Sequence, residues 1–372
     1  MNARFDDLVA GRALVCPPPR RVLTTSDPGE VAGVLRAVER ATEAGAWAYG
    51  YVSYDAGGPP LIWFGLCDEP VADEPIAAPP GPRPPIGWTP DWTAAEHARA
   101  VAAVRRHIAD GETYQCNLTD RLRAVVEDPF ELYARMATAQ RAAYNAYLDT
   151  GRFVIASASP ELFFDWVGDR LRTRPMKGTA RRGDDPAADA LAARRLRASA
   201  KEQAENVMIV DLLRNDLSRV AELGSVAVTE LFTIEAYPTV WQLVSEVTAR
   251  RHAASGLAEI FAALFPCGSV TGAPKQRSME IIRALEPGPR GVYCGAVGLV
   301  APPGAPFRAR FNVAIRTAVL DRQTGIAVYG AGGGITWGSD AALEHAELLA
   351  KTAVLGMPAG RPDPATPRRG RP

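Results

Sequence analysis

The sequence predicts an α+β fold. Three observations predict it: strand-length apolar runs and helical stretches interleave without strict βαβ alternation, no segment repeats, and 372 residues at 47% apolar content can bury a large core. Length alone allows two domains or one large one. Upstream, Glu30 to Ala44 reads as a helix stopped at Gly45, and AWAYGYVSYD reads as a strand. Prolines 70, 75, 79, 80, 82, 84, 85 and 90 then crowd together, so neither a helix nor a central strand can continue. Residues 70–92 are therefore expected to be a Pro-rich linker or surface excursion. Thr93 to Gly111 follows as an amphipathic helix, with Thr93 as N-cap and Ala100, Val101, Val104 and Ile108 on one face. Strand-like runs come at RFVIAS, ELFFDWV, GSVAVTELF, VYCGAVGLV, FNVAIRTAVL and GIAVYGAG. Asp189 to Val220 is a long helical stretch open to interruption, and Leu257 to Leu264, Lys275 to Leu285 and Ala341 to Leu355 supply more helix. From Met357, MPAGRPDPATPRRGRP has almost nothing apolar to bury, so 357–372 is expected to be a disordered tail.

Charge and composition exclude several functions. Lys plus Arg number 42 and so do Asp plus Glu, and a zero net charge does not suit a protein that holds nucleic acid by charge alone. No run approaches 18 apolar residues, and Asp6 and Asp7 stand where a signal peptide needs an apolar stretch, so no membrane span and a cytoplasmic location are expected. Five dispersed cysteines without a CxxC pair read as free thiols of a reducing compartment. The four histidines form no HxxxH pair and keep away from the cysteines, which argues against zinc. A GxSxG elbow is also absent.

Four features could carry chemistry. Glu202 and Glu205 are three apart in a helical pattern, and so are Glu344 and Glu347; each pair puts two like charges on one helix face. Such pairs are commonly solvated surface. Brought together, they would suit a hard cation such as magnesium, which takes one or two carboxylates and keeps its waters. The run YGAGGGITWGSD, from Tyr329 to Asp340, lies between strand and helix, where backbone N–H groups can meet an anion; it has neither GxGxxG nor Walker spacing. Lys177 sits in a turn-like setting among Arg174, Arg181 and Arg182, either as ordinary basic surface or as an amine whose pKa is lowered toward nucleophilicity. Glu161 opens an apolar strand, as a surface residue at its end or as a desolvated acid.

Read together and in order, eight segments resemble the chorismate-utilising enzymes: YQCNLT, SASPELFF, RPMKGTARRG, KEQAENVMIVDLLRND, FPCGSVTGAPKQRSMEII, YCGAVG, FNVAIRT and GAGGGITWGSDAALEHAELLAK. The likeness runs from about Ala95 to Leu355 and extends weakly to YVSYDAGG. It implies one large fold of two packed, mostly antiparallel β-sheets flanked by helices, with 1–69 as its N-terminal part and 93–356 as the chorismate-binding catalytic region.

The resemblance also implies roles. Gln115 stands where water-activating members carry Lys, which is similar to the ammonia-using members. Lys177, within PMKGT, is similar to the branch that forms 4-amino-4-deoxychorismate, whereas the anthranilate-forming branch has Ala there. Lys177 is then implied as a covalent nucleophile and Glu161 as the general acid. Magnesium is implied on Glu205 and Glu347, with Glu202 and Glu344 supporting through water. Arg316 and Lys351 match positions that grip substrate carboxylates, with Gln115, Thr179, Tyr293 and the N–H groups of Gly332, Gly333 and Gly334 completing the cradle. Gln242 departs from the family, replacing a His tied to pyruvate elimination, and Cys267 is a smaller variation. VLTTS near residue 22 does not match the tryptophan-sensing LLES segment. The expected partners are chorismate and a separate glutamine amidotransferase subunit supplying ammonia. The rival readings are an anthranilate-forming enzyme and a chorismate-binding scaffold without catalysis.

Overall fold

A computed structural model of the chain describes residues 2–81, 84–237 and 240–357. Two ten-stranded sheets organise it, and every pairing between described strands is antiparallel. The first sheet runs in the order Gly272–Ala273, Gln115–Val125, Ile326–Ile335, Thr317–Asp321, Phe153–Ser159, Tyr144–Asp149, Ala3–Asp7, Arg12–Cys16 and Val71–Asp73. The second runs Met176–Arg181, Val240–Arg250, Arg170–Arg174, Leu162–Val167, Ala309–Val313, Ala296–Val300, Trp47–Val52, Ile62–Cys67 and Arg21–Thr25. Thr89–Pro90 adds to the first and Ala227–Ala236 to the second.

The sheets pack face to face because their strands are apolar on both sides. Trp47, Tyr49 and Tyr51 alternate inward to meet Leu148, Ile155 and Val297 between the sheets, while Ala48 and Val52 turn outward. On the outer face of the second sheet lie the helices Val31–Glu43, Ala200–Ser218 and Leu257–Leu264, over a cluster that includes Phe64, Phe164, Phe261 and Phe311. The rings of Phe261 and Phe311 meet edge to face at 5.1 Å, a geometry that adds roughly 1 kcal/mol to simple burial. The helix Pro129–Gln140 covers the outer face of the first sheet with Tyr133 and Met136.

Several elements differ from the sequence reading. FNVAIRTAVL is two strands in different sheets; the chain crosses between them at 314–316, where Arg316 takes a left-handed φ of 50°. VYCGAVGLV becomes strand only from Ala296, after a turn in which Cys294 has φ 65°. The long stretch from Asp189 is two helices, Pro186–Ala198 and Ala200–Ser218, because Ser199 leaves helical geometry and its hydroxyl accepts the Glu202 N–H. Thr93 does cap its helix, in a reciprocal box with Glu96. The Pro-rich stretch runs over the first sheet, contributing the edge strand Val71–Asp73 and burying Trp88 against Tyr329. Edge strands tolerate the missing N–H groups of proline. The tail expected from Met357 lies outside the described residues from 358 onward. No helix among the described residues is long and apolar enough to cross a membrane.

Candidate active site

The chain passes from sheet to sheet at two adjoining points, and the candidate site opens there. Glu161 occupies the crossing between Phe153–Ser159 and Leu162–Val167; Arg316 occupies the one between Ala309–Val313 and Thr317–Asp321. The crossings are tied together, since Ala158 N–H donates to the Arg316 carbonyl at 2.9 Å and Val313 N–H donates to the Glu161 carbonyl at 3.0 Å. Glu161 is buried, its Oε1 has no hydrogen-bond partner, and burial pushes its carboxyl up to about 7 against the opposing pull of Ser269, Lys177 and Arg316. Arg316 makes no side-chain hydrogen bond or ion pair among the described residues, which leaves its planar fork available.

Lys177 lies in the strand Met176–Arg181 rather than in a turn. The register shifts between Met176 and Thr179, and Gly178 between them has φ 98°, so a bulge re-aims the side chain. Desolvation lowers the Lys177 amine, and Lys351 pushes the same way, while the carboxylates of Glu205, Glu161 and Glu347 hold it up. Thr179 is placed by register opposite Gln242, and its hydroxyl donates to Gln242 Oε1 at 3.0 Å.

Gln115, at the start of the strand Gln115–Val125, is fully buried, and neither its Nε2 nor its Oε1 has a partner. A buried amide left unpaired costs about 1–3 kcal/mol, so it is a place where a ligand's polar groups belong. Gly332, Gly333 and Gly334 are not a free loop: they continue the strand Ile326–Ile335 opposite Thr119, Leu118 and Asn117. Their service to the site is close approach. A Cβ on Gly334 would overlap Gln115 Nε2 and come within 3.4 Å of Lys177 Nζ, and one on Gly333 would stand 3.5 Å from both Glu344 and Lys351. Tyr293 lays its ring on Gly330, and its hydroxyl pairs with Thr119.

Residues 24–356 match the family model described as chorismate binding enzyme. The chain belongs to this family. Aminodeoxychorismate synthase component 1 of Klebsiella aerogenes is 37% identical over 300 residues, covering 80% of this chain and 64% of the relative. Aminodeoxychorismate synthase of Streptomyces griseus is 43% identical over 70% of this chain and 35% of the relative, and anthranilate synthase component 1 of Streptomyces coelicolor is 42% identical over 72% and 52%. The chain thus spans between about a third and two thirds of the length of these relatives. In fold it is similar to anthranilate synthase component I of Streptococcus pneumoniae (TM-score 0.79, 24% identity, 93% of this chain and 92% of that one) and to an isochorismate synthase of Bacillus anthracis (TM-score 0.79, 21% identity, 95% of each).

In this member of the family, the helices Ala200–Ser218 and Ala341–Ala350 turn Glu202, Glu205, Glu344 and Glu347 toward one another. Burial raises Glu202, Glu205 and Glu344, and repulsion from Glu347 adds to each. Glu347 is lowered instead, chiefly by Lys351, whose Nζ pairs with it at 2.8 Å and donates to the Gly332 carbonyl at 2.6 Å. Lys351 is thus already engaged, not a free grip for a substrate carboxylate. Lys201 approaches Glu205 at 3.9 Å. No three acidic, His or Cys side chains among the described residues gather at metal-ligating distance. Three carboxyls raised by burial and by the charge of Glu347, with Glu347 itself, are nonetheless a donor set that a divalent cation would relieve, and magnesium needs only one or two of them directly.

Sequence reasoning missed the supports beneath the site. Arg290 is buried and donates to Glu286, to the Val270 carbonyl at 2.7 Å and to the Asn117 carbonyl at 3.0 Å, while its guanidinium lies 4.7 Å from the centre of the Tyr54 ring. Asn117 in turn donates to the Ser269 carbonyl, and the Ser269 hydroxyl pairs with Glu161. No helix pairing rule announces this contact, because the helix Lys275–Leu285 ends before Glu286 and prolines 287 and 289 interrupt the segment to Arg290.

Proposed function

We propose that the chain aminates chorismate at carbon 4 to give 4-amino-4-deoxychorismate, as the synthase component served by a glutamine amidotransferase subunit. The observation that carries this reading is Lys177: a desolvated lysine whose pKa is lowered, in reach of the buried Glu161 and of the unpaired Gln115. The names of the Klebsiella and Streptomyces griseus relatives support it.

Replacing a hydroxyl by an amine at the same position and face is served by two successive allylic displacements. In the first, the neutral Lys177 amine forms a bond to ring carbon 2, the double bond shifts, and the carbon 4–oxygen bond breaks. Glu161 gives its proton to the departing oxygen, so water leaves rather than hydroxide. A carboxyl pushed up to about 7 keeps its proton in about half of the molecules at neutral pH and can do this. In the second, ammonia forms the bond at carbon 4, the double bond shifts back, the bond to Lys177 breaks as the neutral amine leaves with the bonding pair, and the new carbon 4 ammonium returns a proton to the Glu161 carboxylate. Arg316 holds one carboxylate of the substrate as a planar fork. Gln115 offers its unpaired amide to the substrate or to ammonia, and Tyr293, Thr179 and the glycine strand Gly332–Gly334 form the walls. Magnesium would be held by Glu205 and Glu347, with Glu202 and Glu344 behind them, and would supply positive charge for the ring carboxylate. Free thiols at all five cysteines support placing the reaction in the cytoplasm.

The test is to incubate the chain with chorismate, magnesium and ammonium, add aminodeoxychorismate lyase, and separate the products by chromatography. Lyase-dependent 4-aminobenzoate is the expected result. Anthranilate formed without lyase would assign the chain to the other aminating branch, and unchanged chorismate would leave only a binding scaffold.

A further inference from the structure

Two of the five cysteines meet across the sheets, far along both from the site. Cys16 ends the strand Arg12–Cys16 of the first sheet, and Cys67 ends the strand Ile62–Cys67 of the second. Just beyond each, the chain changes sheets: through the prolines 17–19 to Arg21–Thr25, and through 68–70 back to Val71–Asp73. These crossings run side by side. Arg20 N–H donates to the Leu66 carbonyl at 2.8 Å, Arg20 pairs with Asp68, and Pro19 packs so closely that a Cβ on Gly65 would stand 2.8 Å from it. Both cysteines belong to one buried cluster with Trp47 and Tyr49, each cysteine only 2% exposed, and Cys67 is near enough to push the Cys16 thiol up. The other cysteines turn to oxygen atoms instead: Cys116 to Ser278, Cys267 to Ser269 and Cys294 to Tyr293.

We propose that Cys16 and Cys67 are an oxidation site, closing to a disulfide that staples the two sheets at the edge remote from Glu161 and Lys177. The inference is independent of the chemistry proposed above. The two thiols lose two protons and two electrons as the sulfur–sulfur bond forms. With a low-molecular-weight disulfide as oxidant, its own S–S bond breaks and two thiols leave; with hydrogen peroxide, the O–O bond breaks and two waters leave. The exposed crossings at Pro18, Asp68 and Glu69 lie directly beyond the strand ends, so modest fraying opens a path. Pairing and burial hold the Cys16 thiol above its usual range, which makes the pair slow to oxidise and suits it to sustained rather than brief oxidant exposure. A staple between residues this far apart in sequence restricts the unfolded chain more than the folded one.

The test incubates the full chain with glutathione disulfide, alkylates the remaining thiols, digests without reductant and maps the peptides by mass spectrometry. The expected product is one cross-linked pair containing Cys16 and Cys67, lighter by two hydrogens than the separate peptides. The oxidised chain should melt about 5 °C higher than the reduced one, a rise reversed by dithiothreitol and missing in Cys67→Ala and Cys16→Ala. The proposal is overturned if Cys16 and Cys67 are recovered alkylated, if the cross-link joins other cysteines, or if the linked chain melts no higher. Should a variant fail to fold, the peptide map and the reversible melt of the parent decide.

Discussion

Near the edge that carries Trp47–Val52 and Ile62–Cys67, the strands bury aromatic and aliphatic side chains on both faces, and the unpaired polar atoms of Trp47–Val52 are the hydroxyls of Tyr49 and Tyr51, at the tips of packed rings. From the middle of the sheets, where the chain crosses at Glu161 and Arg316, to the opposite edge, with Gln115–Val125 and Met176–Arg181, the fold holds an unpaired amide, a carboxyl with one orphaned oxygen and a desolvated lysine. The same double sheet thus contains a region built mainly by apolar packing and a region that gathers unpaired or desolvated amide, carboxyl and amine groups. Proteins keep such groups where function needs them. The difference teaches where to look: substitutions in the first region should change stability with little effect on chemistry, and those in the second should change chemistry most, with Glu161 also setting how stability depends on pH.

The largest effect should come from Lys177→Ala. Loss of the nucleophile is expected to lower formation of 4-amino-4-deoxychorismate by about a thousandfold or more, with chorismate affinity, measured by calorimetry, changed only a few-fold. Glu161→Gln should lower kcat by roughly a hundredfold to ten thousandfold, the range of a lost general acid. It should also stabilise the protein at alkaline pH. Because the folded carboxyl is raised above its unfolded value, the native state keeps a proton that the unfolded state has lost, and stability falls as pH rises from near 4.5 toward 7. Removing that group should recover on the order of 3 kcal/mol above pH 7, read from urea unfolding at pH 5 and pH 8. In the parent, activity should decline as pH rises through about 7, where Glu161 loses its proton.

At the first edge, Phe64→Ala should cost about 4 kcal/mol of stability while leaving the kcat of the folded fraction within about twofold. A large fall in kcat there would erase the contrast between the edges. Gly334→Ala is an intermediate case. Its methyl would overlap Gln115 and crowd Lys177, so kcat/KM should drop about tenfold to a hundredfold with a small change in melting temperature. The smallest change is expected for Thr179→Ala, whose hydroxyl bonds to Gln242 in a largely exposed position; a loss of less than about fivefold in kcat/KM would fit.

The sequence made the helices legible where caps were local. Thr93 with Glu96 is an example, and Gly45 with its left-handed φ of 99° is another. It hid what depends on distant partners. The strand Gln115–Val125 has no clean alternation because its two faces meet different neighbours, the site on one side and two helices on the other. The helix Pro129–Gln140 went unread although Asp128 and Pro129 form a standard start, since its apolar face is broken by alanines. FNVAIRTAVL reads as one strand because nothing local shows that Arg316 must turn the chain into the other sheet. In the site, the acidic pairs and Lys177 were visible by spacing and company. The engagement of Lys351 with Glu347 and the glycine strand's role in close approach were not, because both arise from packing between elements remote in sequence.

The covalent role of Lys177 is tested most directly by peptide mapping after the chain is quenched during turnover with chorismate and magnesium, without ammonia. The account predicts a peptide in which Lys177 carries chorismate less one water, absent from Lys177→Ala and discharged when ammonium is added. Product formed by Lys177→Ala at the parent rate, with no such adduct on the parent, would contradict it.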